Sequence, residues 1–164
     1  MSPRRILIAV GVTVLALALA AVAVGANPFG TASNPERIDI ITRATPINDF
    51  VDVGDSGPDP GDIYVFVDKV YFPNAPGTAV GEALGRCTLI DPATARFGCA
   101  IKTSLNKDDS IMTDGTLKNV PGEISTGAVT GGTGRFRNAR GEAVLDLGPP
   151  QGPHRASFRL ILQP

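Results

Sequence analysis

From Glu36 onward, no stretch of about eleven residues spaces its apolar side chains at a helical period. Short runs rich in Val, Ile, Phe and Thr alternate instead with Gly, Pro, Asp and Asn. A chain punctuated this often cannot lay down a helical apolar stripe long enough to pack, so the pattern predicts an all-β domain. Strands are expected near 36–43, 62–72, 79–90, 96–104, 110–119, 123–130, 135–147 and 154–162, with a short extra strand at 48–53 before the loop GDSGPDPGD. Eight strands joined by short connections suit an eight-stranded antiparallel up-and-down β-barrel, because closure removes the edges that an open sheet leaves exposed. A sandwich is the alternative. Gly81, Gly85, Gly98 and Gly141 fall inside strands and fit the bends at which a small barrel turns its corners.

The run at 62–72 carries apolar bulk on both faces. Its even positions include Tyr64, Phe66, Asp68 and Phe72; its odd positions include Ile63, Val65, Val67 and Tyr71. A solvated exterior needs no such bulk, so one face is expected to line the barrel and the other to pack on a neighbouring subunit.

Ahead of the strands stands MSPRRILIAVGVTVLALALAAVAVGA: two arginines, an uncharged run and a small-residue end, the layout of a secretory leader cleaved after Ala26. The apolar run also approaches the roughly 20 residues that span a bilayer, so an uncleaved anchor is the other reading. Residues 27–35 are polar and proline-bearing and read as a linker to a single domain at 36–164. Loss of the leader removes two of the 15 basic residues and leaves a net charge near −3 against the whole chain's −1. No basic block is present, which argues against nucleic acid; a membrane is a partner only if the leader is retained.

Cys87 and Cys99 are the two cysteines, and an exported chain can oxidise them. They flank TLIDPATARFG, which reads as strand, turn, strand, so a bridge between them is the main expectation and a pair of buried thiols the competing one. A metal site would need further ligands, and the single His154 lies in a Gly-Pro-rich stretch with no partner at ligand spacing. His154 is read as a surface or strand-start residue, with no metal and no cofactor expected.

The stretch GGTGRFRNARGE (131–142) invites a phosphate-binding reading and fails it. A dinucleotide fingerprint needs a third glycine where Arg137 stands, and a P-loop needs Lys and Ser or Thr where Arg135 and Phe136 stand. The stretch is instead expected to be a hairpin turn in which Gly131, Gly132 and Gly134 supply positive φ, with Gly141 as a bulge in the strand that leaves it.

VTGGTGRFRNARGEAVL (129–145) resembles the glycine turn and following strand of dirigent proteins, and GDIYVFVDKVY (61–71) with GRCTLI (85–90) resembles strands of allene oxide cyclases. The resemblance spans about 36–162 and implies an eight-stranded antiparallel barrel with an apolar internal cavity, assembled as a trimer, in a form closest to bacterial secreted members. Allene oxide cyclases use a carboxylate and an ordered water inside the barrel; by the resemblance, Asp39 and Asp68 take the carboxylate positions, and both also fit a plain reading as solvated strand-end residues. The family's proline and asparagine are replaced here by Val65 and Asp68, which puts the water site in doubt. The arginine of lignan-forming dirigent members has no match in EISTGAVT, and Arg140 reads as structural, paired with Glu142 or another carboxylate.

Two functions follow as expectations. In one, a secreted barrel binds a small apolar molecule against Tyr64, Phe66 and Phe72 and steers its cyclisation or coupling without a cofactor. In the other, the barrel is a non-catalytic ligand-binding or structural module, as the lack of a nucleophile or metal constellation allows.

Overall fold

The protein is described here by a computed structural model covering residues 35–149 and 152–162. The expected leader at 1–26 and almost all of the linker lie outside the described residues. Eight strands follow one another: β1 (Glu36–Val51), β2 (Ile63–Tyr71), β3 (Gly81–Asp91), β4 (Arg96–Ser104), β5 (Ser110–Lys118), β6 (Ile124–Thr133), β7 (Arg140–Asp146) and β8 (His154–Ile161). Each pairs antiparallel with the next, and β8 returns to β1 through pairs such as Ile40 with Ala156, which closes the barrel. The up-and-down barrel expected from the punctuation is therefore the fold, and the sandwich is not.

Two boundaries differ from expectation. The runs at 36–43 and 48–53 are one strand: β1 has three residues between Ala44 and Asn48 where β2 has one between Asp68 and Phe66. That bulge keeps its polar groups satisfied, since Thr45 Oγ1 donates to the Val67 carbonyl, the Ile47 N–H donates to Thr45 Oγ1, and the Asn48 amide donates to the Thr45 carbonyl. Pairing then resumes with the same residues facing inward. The expected strand at 135–147 starts only at Arg140, because Gly134–Phe136 form a single 3-10 turn.

That turn explains the glycine-rich stretch. It drives Phe136 into the end of the barrel, where the side chain is fully buried with Ile38, Ile111 and Leu160. Gly134 sits at φ 57° against Asp109, and Gly131 and Gly141 also have positive φ, 152° and 150°. Gly132 does not: it lies in the extended run of β6, and its role is close approach, since a Cβ there would collide with the Ser110 carbonyl and with Phe136. Asp109 accepts from the Arg135 N–H at 3.0 Å, and Thr133 Oγ1 donates to the Asp108 carbonyl at 2.8 Å, so the β4–β5 loop clamps the turn. Arg140 donates to the carbonyls of Thr130 and Ala139 at 2.8 and 2.7 Å rather than to a carboxylate.

Phe136 and its neighbours seal the end at which β1 begins and β2 finishes. The opposite end carries a cavity.

Candidate functional site

Inward alternation on β2 sends Tyr64, Phe66 and Asp68 into the barrel, where they meet Thr42 and Asn48 from β1 and His154 from β8. The space is about 130 Å³, walled mainly by aliphatic and aromatic side chains such as Ile40, Leu145 and Phe158. It continues toward a depression of about 360 Å³ at the open rim, with Tyr64, Phe97 and Asn119 lining both. Pro58 and Pro92 form part of that rim. The loop bearing Pro58 is held by buried Asp62, whose carboxylate accepts from the N–H groups of Val53 and Asp59 at 2.9 and 2.8 Å.

Close packing sets the shape of the wall. The Phe66 ring crosses over Gly85, its partner on β3, where a Cβ would strike the ring. Tyr64 and Phe66 stand 5.7 Å apart between ring centroids, and the Tyr64 hydroxyl donates to Asn48 Oδ1 at 2.9 Å. Cys87 and Cys99 face each other across β3 and β4 and are joined in a disulfide. The cystine is itself inside the barrel, clustered with Leu89 and Phe97, and Tyr64 and Phe66 pack against that cluster.

Asp68 is the acidic group in this interior, only 5% exposed. Burial pushes its carboxyl above the ordinary range, opposed by the His154 charge and by a hydrogen bond with Thr42. Burial, and then the charge of Asp68, raise Tyr64 in turn. The cluster thus holds a carboxyl poised to keep or give up a proton, a phenol and an imidazole, all facing one space.

The other nominated residues lie elsewhere. Asp39 falls on the outer face of β1, because Ile38, Ile40 and Thr42 take the inner one. There Arg37 Nε meets its carboxylate at 3.0 Å and the Ser157 hydroxyl donates to it at 2.5 Å; these bonds hold it below the usual carboxylate range. An acid already paired and solvated has no reach into the cavity. Phe72 follows the end of β2 and packs against the sealed core cluster, away from the cavity wall. His154 starts a strand, as the sequence suggested, but lines the cavity rather than the surface. Its position opposite Thr42 comes from the β8–β1 closure, which local sequence does not carry.

No protein-family model matches the chain, and no curated protein does. Solved structures do. A pyocyanin demethylase superposes with a TM-score of 0.63 at 23% identity over 76% of this chain and 99% of its own. A pterocarpan synthase dirigent protein gives 0.61 at 17% identity, over 79% of this chain and 95% of its own. The fold is a dirigent-type barrel. An exo-specific intermolecular Diels-Alderase has the same dirigent-type fold, with a TM-score of 0.60 at 19% identity over 78% of this chain and 98% of its own. In this dirigent-type barrel the Gly-Gly-Thr-Gly turn seals one end, and the cavity lies toward the other.

The raised Asp68 pKa fixes the sign of a pH effect. An unfolded aspartate titrates near 3.9, and the folded group titrates higher, so between the two values the folded state binds more protons. Its stability contribution is full below the unfolded pKa and is lost as pH rises through the folded one. Asp68→Asn cannot ionise, so the variant will gain on the parent as pH rises from acid to neutral and converge with it in acid. Urea unfolding of both proteins across that range checks this; a parent that gains on the variant toward neutral pH contradicts it.

Proposed function

We propose that this protein is a secreted barrel that binds a small apolar molecule in its cavity and holds it in the conformation from which it cyclises or couples, without a cofactor. The observation that carries the reading is the apolar-walled space, open toward one rim and sealed at the other, into which only a few polar side chains converge. Wall shape would choose the folded conformer, and Asp68 would exchange a proton with the reacting molecule, aided by Tyr64 and His154. The names of the fold neighbours, a demethylase, a pterocarpan synthase dirigent protein and a Diels-Alderase, support small-molecule chemistry in barrels of this kind.

Export is supported by the leader pattern and by the internal cystine. A homo-oligomer, a trimer by resemblance, belongs to the same reading. On the outer face Val67 pairs with Leu84, Leu84 with Lys102 and Lys102 with Met112, and Leu84 and Met112 are exposed together with Ile47. A second copy covering this apolar stripe would explain the bulk on both faces of β2.

A native mass spectrum of the protein purified from its producing cells tests the reading. The expected species is an oligomer carrying a discrete small-molecule mass that Ala143→Phe, which puts a ring into the cavity, abolishes while circular dichroism stays unchanged. A parent protein that is reproducibly empty, and stays empty when offered extracts of its own producer, would assign the barrel to a structural role instead.

A further inference from the structure

The charge inside the barrel is one-sided in a way that selects a ligand. Among the described residues that line the cavity there is one carboxyl, Asp68, one imidazole, His154, and no lysine or arginine. The remaining polar groups, Thr42, Asn48, Tyr64 and Asn119 among them, are neutral hydroxyls and amides. We infer that the cavity takes a compact apolar molecule bearing a basic nitrogen or a hydroxyl, met by Asp68, and that it discriminates against carboxylates. This rests on the cavity being a binding site, and adds to that reading the polarity of what binds.

The argument is electrostatic and steric. A carboxylate brought into a water-poor space needs a donor of full or nearly full positive charge, or its desolvation goes uncompensated. Asp68 offers the wrong sign when ionised. An amine, by contrast, can share one proton with Asp68 whichever partner holds it, and a hydroxyl can donate to the carboxylate or accept from the acid. His154 on β8 is the titratable group that faces Asp68 from another strand, and Tyr64 is the one on its own strand. Only His154 could supply a cation, and it shares the space with the acid that such a charge would already satisfy. Size agrees: the cavity volume of about 130 Å³ is close to that of an engineered apolar cavity of ~150 Å³ that takes up benzene. One ring therefore fits inside, and a larger body would extend into the rim depression between Pro58 and Pro92.

Benzylamine, benzyl alcohol and benzoate form a matched set of probes, titrated calorimetrically into the full protein at neutral pH. Benzylamine and benzyl alcohol are expected to bind, with benzoate weaker by about tenfold or more. In Asp68→Asn, benzylamine should lose about tenfold, benzyl alcohol should change little, and benzoate should gain. Benzoate binding at least as tightly as benzylamine in the parent, and weakening in His154→Gln, would overturn the charge selection and leave the cavity as a binding site. Failure of all three probes to bind the parent would remove the cavity reading and this inference together.

Discussion

Replacing Phe136 by alanine is expected to lower the unfolding free energy by about 3–5 kcal/mol, a large part of the ~5–15 kcal/mol that holds a typical domain together. The side chain is fully buried where the strands converge, so its removal leaves a hole that eight hydrogen-bonded strands cannot close by moving inward. Phe136→Leu keeps most of the volume and should cost less, about 1–2 kcal/mol. Arg135, one residue away, makes a useful contrast. Its guanidinium stacks 4.4 Å from the Phe136 ring and reaches Glu36 at 3.2 Å, but the pair is exposed. Arg135→Ala should therefore cost no more than about 1 kcal/mol. Urea denaturation of the three variants measures all of this. A loss below about 1 kcal/mol for Phe136→Ala would mean that the turn at 134–136 does not seal the barrel, and the glycine-rich stretch would again lack a structural purpose.

The strands were legible because each is a short β-rich run between turn-forming residues; the site was legible only where alternation also said which face was inner. On β1 the charges of Arg37, Asp39 and Arg43 share one parity and Ile38, Ile40 and Thr42 the other, so the outward aim of Asp39 was readable, in line with its plain reading as a solvated residue and not with the position that the resemblance implied. On β8 His154 shares parity with buried Ala156, Phe158 and Leu160, while Arg155 and Arg159 take the other face. That parity was available and runs against the reading of His154 as a surface residue, but it does not place His154 beside Asp68, because the neighbourhood depends on a closure between the first and last strands. On β2 both faces are apolar, and nothing local chose between them. Phe136 was hidden for a different reason. Within RFRNAR it reads as an alternating strand residue, and only the 3-10 turn at Gly134–Phe136 shows that the chain turns there instead.

The Cys87–Cys99 bridge should be the second large contributor to stability. It joins residues 12 apart, for which the chain-entropy relation gives about 3 kcal/mol, or roughly 10 °C in Tm for a domain of this size. The double variant Cys87→Ala, Cys99→Ala should show that loss or more, since it also strips two sulfurs from a packed interior shared with Leu89 and Phe97. Burial adds a kinetic expectation. With Cys87 fully buried and Cys99 nearly so, a thiol reductant reaches the bond only when the barrel opens, so reduction should be slow in native buffer and accelerate with urea in step with unfolding. The same position ties stability to the site, because Tyr64 and Phe66 pack against the cluster that contains the cystine. Its removal should loosen the wall that holds the bound ring and weaken benzylamine binding even at temperatures where the double variant remains folded. A variant that keeps its Tm within about 2 °C, or a bond reduced within the mixing time in native buffer, would show instead that the bridge contributes little to holding the barrel closed.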